Sequence, residues 1–439
     1  MATPNAPASM YRSTEGIGIW PHRGKVAAVG IGHSPTSRRW DGRPDTTVGA
    51  LAISAVRKAI ADAGVSADQI DGLVMDTNTT TGSHWPPGKP IPEDFLAMFQ
   101  ATDDPLDGIG QLSAEWILKN MPELKNVRFA MIGPGCMSNA VVVAAQAVGE
   151  GLTHTCLVLK GWQNFVGRYY QEGAALEPTR TGGAKYSALW GGPACFGTAQ
   201  QFQRYMFKYG KTHEMHAPFV VNSRRNGLLF PEGYWAQHRP EPVTADDYNT
   251  ARWIAKPANL FDNDLPINAA AAYLFTTAER AKDMQQKPAY IWNVASNRFR
   301  ARSLSLTLEE VEQSTAHTAR MIYEGAGIQA SDLSFEDMYD GFGLSHVFHI
   351  EGLGYAGIER GEALDLYQTD ISIEGPHPVS PSGGNIGSGR TRFWMHTDAI
   401  QQIQGRAGAR QIHKRAEIGV SGGPTPTGGN FTVWSATPD

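Results

Sequence analysis

Cysteine is scarce in this chain, with only Cys136, Cys156 and Cys195 among 439 residues. So few thiols, and an odd number of them, exclude a disulfide framework and favour a reducing compartment, so a cytoplasmic location is expected. Charge is thin as well. Charged residues make up 18% of the chain and net to −5, which leaves no basic surface for nucleic acid. No window approaches the roughly 18 uninterrupted apolar residues of a membrane span, so no membrane partner is expected. The first 25 residues lack the continuous apolar segment of a secretory signal, and residues 1–24 read as an extension. No metal signature such as H-E-x-x-H occurs. The pairs His213 with His216 and His346 with His349 stand three apart without further ligands in sequence reach, so neither a metal nor a bound cofactor is expected.

What is abundant is glycine and proline, 48 and 27 residues, in a chain that is 41% hydrophobic, the composition of a globular protein with many tight loops. Strand and helix patterns alternate. Val26 to Ile31 reads as a strand, Thr46 to Ala63 as a helix ending at Gly64, and Ile70 to Met75 as the next strand. Val127 to Ile132 and Cys156 to Leu159 bracket a helix from Asn139 to Gly149. That helix is apolar on nearly every side and must lie between layers. From about 162 to 265 the alternation breaks into an aromatic, loop-rich lobe with helices near Thr198 to Tyr209 and Thr212 to Asn226. Strand character returns at Pro266 to Thr277 and Ala289 to Val294. Thr307 to Gly325 and Thr397 to Arg406 read as helices, and two late strands end near Trp434.

Ala61 to Asp76 repeats the pattern of Tyr323 to Asp340. Aligning Gly64 with Gly327 pairs Val65 with Ile328, Ile70 with Leu333 and Met75 with Met338. A helix end, a turn and a strand therefore recur, which predicts two similar α/β halves. In the second copy, L-S-F-E-D-M-Y-D-G-F-G-L (Leu333 to Leu344) is a strand turned by Gly341 and Gly343 into an apolar helix. Tyr339 and Asp340 thus fall at a strand's carboxyl end, where α/β sheets collect ligands. On this segment alone Tyr339 also reads as a core residue with its hydroxyl satisfied.

Cys136 precedes the apolar helix, where unsatisfied amides and the helix dipole favour a thiolate. A free cysteine there is equally compatible with inert packing. The glycine run Pro381 to Arg392 lacks the Gly-Lys-Ser/Thr ending of a phosphate loop. Its glycines, Gly389 among them, let the backbone approach a ligand or a neighbouring loop, and Arg390 and Arg392 either contact an anion or are solvated. G-V-S-G-G (Gly419 to Gly423) matches a hydrolase elbow in letters only, since Pro424 and Pro426 forbid the helix that must follow. A turn there that offers amide donors to an oxyanion is the better functional version.

Together these segments resemble the thiolase superfamily, in its sterol-carrier-type, thiolase-like branch, from about Lys25 onward. G-C-M-S-N-A resembles the nucleophile segment around the reactive cysteine, here Cys136. Y-D-G-F (Tyr339 to Phe342) stands where that branch carries H-D-C-F, and G-G-N-I-G-S-G-R-T stands where thiolases carry G-G-x-x-x-x-G-H-P. The resemblance implies an α/β thiolase fold, two βαβαβ-type halves in an α-β-α-β-α core. It implies halves at 25–285, containing the loop lobe, and 286–439.

The family's activating histidine is replaced by Arg390, and its second cysteine positions read Gly341 and Ser421. An arginine keeps its proton near neutral pH and cannot serve as a base. What remains resembles thiolase-like aldolases that shorten steroid side chains by retro-aldol cleavage of a β-hydroxyacyl-CoA. Tyr339 then stands as acid/base, Arg390 either beside it favouring phenolate or polarising the thioester carbonyl directly, and the amides of Cys136 and Gly422 as an oxyanion site, with Asp340 and Gly389 lining the substrate. An acyltransferase carrying the acyl group on Cys136 is the alternative. A non-catalytic scaffold for a small subunit is another. The resemblance also implies a homodimer, a coenzyme A thioester substrate and a partner built on an OB-fold with a zinc ribbon.

Overall fold

The computed structural model describes residues 17–76, 85, 88–133, 137–165, 195–298, 307–425 and 428–439. Cys136 and residues 166–194 of the aromatic lobe lie outside the described residues.

Eleven strands are present among them: β1 Val26–His33, β2 Gly72–Asp76, β3 Phe129–Ile132, β4 Thr155–Trp162, a small hairpin of β5 Trp253–Ala255 and β6 Ala258–Asn259, β7 Ala269–Thr277, β8 Ala289–Arg298, β9 Phe335–Met338, β10 Ile418–Thr425 and β11 Gly428–Ser435. All but the hairpin join one sheet in the order β3-β2-β4-β7-β1-β8-β11-β10-β9. Strands β2, β3 and β4 run parallel, and β7 is antiparallel to its neighbours β4 and β1. The second set repeats this. Strands β9 and β10 are parallel, and β11 is antiparallel to β10 and β8. Position by position, β8, β9, β10 and β11 correspond to β1, β2, β4 and β7. The place of β3 is marked only by a parallel bridge between Glu336 and Val379. The two sets meet where β1 and β8 pair antiparallel, Val26 opposite Ile291 and Ala28 opposite Ala289.

The repeat seen in the sequence is a repeat in space. Helix Val48–Ala63 ends at Gly64 (φ 68°, ψ 27°) and helix Leu308–Ala326 at Gly327 (φ 70°, ψ 39°). Both glycines are left-handed C-caps, a conformation that side-chain-bearing residues reach only at a cost. Each is followed by a one-turn 3-10 segment, Ala67–Gln69 and Ala330–Asp332, and then by β2 or β9.

Strands β1, β2 and β4 are buried along their whole length, as a sheet covered on both faces requires. Helix Met137–Gly149 packs against β2 and β4 from the first set and β8 and β11 from the second. Its lack of a polar face follows from that central place. Helix Trp394–Gln404 shares the same apolar cluster, packed with it around Trp434, Phe335 and Phe275. Helix Val48–Ala63 covers the outer face of β1 and β7, and Leu308–Ala326 with Gly343–Leu353 covers the other outer face. The result is the expected α-β-α-β-α layering. None of the described helices is long and apolar enough to cross a membrane.

Candidate active site

Strand β9 delivers Tyr339 to the carboxyl end of the sheet, its amide donating to the Gly422 carbonyl at 2.8 Å as the last rung of the ladder. The ring is half-buried. Asp340 turns the other way and is fully buried. Its carboxylate accepts the amides of Asn385 at 2.6 Å and Ile386 at 3.2 Å. Asn385 in turn accepts at its side-chain oxygen from the amides of Thr391 (2.9 Å) and Arg392 (3.0 Å). Asp340 is therefore the anchor of the glycine-rich loop. That corrects its expected place among substrate-binding groups, because its oxygens are spent on backbone amides. Burial pushes its carboxyl up to about 7 against the pull of those amides.

Two further expectations are corrected by the backbone. Gly422 lies opposite Met338, and its carbonyl points at β9. In a strand the amide and carbonyl of one residue point the same way, so the Gly422 amide is a ladder donor and not an oxyanion donor. Gly389 (φ 99°) forms the turn after Ser388, and its carbonyl accepts from the Trp394 indole at 2.6 Å. It shapes the loop from inside.

Around Tyr339 the loop places two arginines. Arg390 is pinned by its amide to the Leu265 carbonyl at 2.7 Å, and its Nε lies 3.8 Å from Oδ2 of buried Asp264. The cation over the Tyr339 ring is Arg392, its guanidinium carbon 5.5 Å from the ring centre. The sequence reading gave that position to Arg390. The backbone at Arg392 is left-handed, φ 64°, and this turn redirects the later side chain. Such a conformation in a residue with a Cβ costs of order 1–3 kcal/mol and is found where geometry is fixed for function.

Trp162, at the end of β4, is the hub of the site. Arg390 lies 5.8 Å and Arg392 5.5 Å from its ring, and Lys160 lies 4.1 Å away, buried and ion-paired with Asp76 at the end of β2. The site thus draws on both halves of the chain. Lys160, Asp76, Trp162 and Asp264 escaped the sequence reading because residues from two strand ends and a separate loop share no local motif.

The remaining candidates serve structure. Ser421 sits inside β10, accepting from the Trp434 indole at 2.7 Å and bonded to Nδ1 of buried His396 at 2.8 Å, whose Nε2 meets Ser138 at 2.7 Å. Burial drives the His396 imidazole down to about 3, so it is a neutral link. His213 and His216 both bond to Asp262, which Tyr248 also contacts at 2.7 Å, and His346 bonds to Glu336 and Tyr367. Cys156 and Cys195 are buried free thiols. Burial pushes both up, Cys195 to about 11, which leaves neither nucleophilic.

Comparison with known proteins agrees with this architecture. A family model described as thiolase C-terminal domain-like matches residues 298–433. A steroid side-chain-cleaving aldolase of Thermomonospora curvata is 27% identical over 374 residues, 83% of this chain and 86% of that one. A 17-hydroxy-3-oxo-4-pregnene-20-carboxyl-CoA lyase of Mycobacterium tuberculosis is 26% identical over 420 residues, 90% of this chain and 97% of that one. The solved structure of an Ltp2-ChsH2(DUF35) aldolase superposes with a TM-score of 0.74 at 22% identity, covering 94% of this chain and 98% of that one. With two repeats of one strand order, a helix buried between them and these relatives, the chain has the α/β thiolase fold.

Proposed function

We propose that this protein is a carbon-carbon lyase that cleaves a β-hydroxyacyl-CoA, a steroid side-chain thioester in particular, by a retro-aldol reaction. The products are a ketone or aldehyde and acetyl- or propionyl-CoA. The observation that carries this reading is the placement of Tyr339 at a strand end, half-exposed, beneath a guanidinium. The names of the aldolase and lyase relatives supply the substrate class.

In this reading Tyr339 takes the β-hydroxyl proton. A phenol ionises near pH ~10 in water, and a nearby cation favours the phenolate. Arg392 is that cation. As the Cα–Cβ bond breaks, its electron pair moves into the thioester enolate, a developing negative charge that a nearby cation stabilises. Arg390, tied to Asp264, holds the cluster round Trp162 in place. Arg390 stands at the family's activating-histidine position, and this reading does not require Cys136. The acyl-transfer alternative keeps support from the acetyl-CoA acetyltransferase of Methanothermobacter thermautotrophicus, 26% identical over 245 residues.

A small OB-fold, DUF35-type subunit is the partner this reading calls for, on the strength of the complex named above. The second partner is another copy of the chain. Among the described residues, strand β3 ends the sheet with one edge open, and Met131 and Ile132 on it are exposed. An open apolar edge is a hazard that antiparallel pairing with the same edge of a second copy removes. Division of the chain at 285/286 fits the two strand sets, and buried free thiols fit a cytoplasmic location.

The deciding experiment offers the full chain a panel of β-hydroxyacyl-CoA thioesters, with and without the small subunit, and follows free acetyl- or propionyl-CoA esters by chromatography. Release of either with the matching carbonyl product is expected. A panel that yields only acyl exchange between thioesters counts against the lyase.

A further inference from the structure

Gly341 lies two residues beyond Tyr339, and the space its missing side chain would fill is taken. A methyl group built there would overlap the Tyr339 hydroxyl and lie 2.8 Å from Oδ2 of Asp264. The phenol oxygen and the carboxylate thus converge on one small volume from two segments. The segments are themselves tied, the Asp264 amide donating to the Gly341 carbonyl at 3.2 Å. Asp264 is 3% exposed, and Arg390 lies beside it at 3.8 Å.

The geometry points to Asp264 as the second station for the Tyr339 proton, with the glycine at 341 keeping open the gap that both oxygens border. This rests on the retro-aldol reading and gives that site a relay. The substrate β-hydroxyl proton moves to the Tyr339 oxygen while the phenol proton moves to the Asp264 carboxylate. The O–H pair becomes the carbonyl π bond, and the Cα–Cβ pair becomes the enolate. Asp264 then returns its proton through Tyr339 to Cα, so the proton lost by oxygen ends on the acyl-CoA product and no outside reactant is needed. The relay serves Tyr339 while it is still a neutral phenol, beside the phenolate that Arg392 favours. Asp264 acts through the phenol and is a positioning residue.

Two measurements test it on the full chain with its small subunit. In the first, kcat and KM of Asp264→Asn are followed across pH. A loss in kcat of roughly a hundredfold near neutrality is expected, shrinking as alkali ionises the phenol, with KM within about twofold. Gly341→Ala should lose kcat similarly with KM retained, its fold checked by circular dichroism. The second needs no turnover. The Tyr339 phenol is titrated by ultraviolet difference against Tyr339→Phe, and it should ionise at lower pH in Asp264→Asn, where a neighbouring negative charge has gone. A wild-type rate in Asp264→Asn, a loss equal at every pH with KM raised, or an unmoved phenol titration would overturn the relay. Failure of the wild type to cleave any thioester, or normal cleavage by Tyr339→Phe, would sink the lyase reading instead, and the titration would still judge the pairing of Asp264 with Tyr339.

Discussion

The guanidinium of Arg392 stands 5.5 Å from the centre of the Tyr339 ring, held there by a left-handed backbone whose amide is fastened to Asn385. A strained residue that sets a positive charge over the ring of a candidate base links loop conformation to acid/base chemistry.

Tyr339→Phe removes the hydroxyl and keeps the ring beneath Arg392. Cleavage should fall by about 10²–10⁴-fold, the range for loss of a general base. Binding of a non-cleavable acyl-CoA, measured by calorimetry, should be unchanged, since the ring's contacts persist.

Arg392→Gly relaxes the backbone and discards the cation. The variant should melt at a higher temperature than the parent, by the equivalent of about 1 kcal/mol, because glycine occupies the left-handed region freely. Its cleavage rate should drop, with the rising limb of the pH profile displaced to more alkaline values. A variant that is both slower and less stable would show that the guanidinium packs more than it strains.

Asp340 gives stability a pH dependence of definite sign. Burial takes its carboxyl from 3.8 to about 7 in the folded protein. Between those values the folded state holds a proton that the unfolded chain has lost, so stability declines as pH rises through the window. Each pH unit there is worth about 1.4 kcal/mol. Asp340→Asn is neutral throughout and escapes that decline. Its melting temperature relative to the parent should climb from about pH 5 to about pH 8, and parallel curves would contradict the assignment.

Cys136→Ala separates the two chemistries. Lyase turnover should survive within a fewfold, and mass spectrometry of the parent after incubation with acyl-CoA should find no acyl adduct on Cys136. A trapped acyl-enzyme would move the protein to acyl transfer.

Ile132→Lys places a charge on the open edge of β3, where Ile132 is 56% exposed. Sedimentation velocity should report a shift from dimer to monomer with the fold intact.

The repeat was legible in the sequence because Gly64 and Gly327 are demanded by left-handed caps, and such positions mark themselves. The buried helix after Cys136 was legible because an element without a polar face has only one place to go. Tyr339 at a strand end followed from two glycines after an alternating run. The partner of Tyr339 was not legible. Arg390 and Arg392 are two residues apart in one loop, and only the backbone angle at Arg392 decides which of them turns to the ring. Asp264 was hidden for a related reason. What places it is an absence, the missing Cβ at Gly341, and an absence points at no particular neighbour until the fold is known.

The seam between β1 and β8 has a practical corollary. Were the polypeptide severed in the link from Thr277 to Ala289 and its pieces made apart, each would carry a naked row of amides and carbonyls where the other belongs. The pieces would clump or find one another, and mixing them during refolding should rescue solubility that neither has alone.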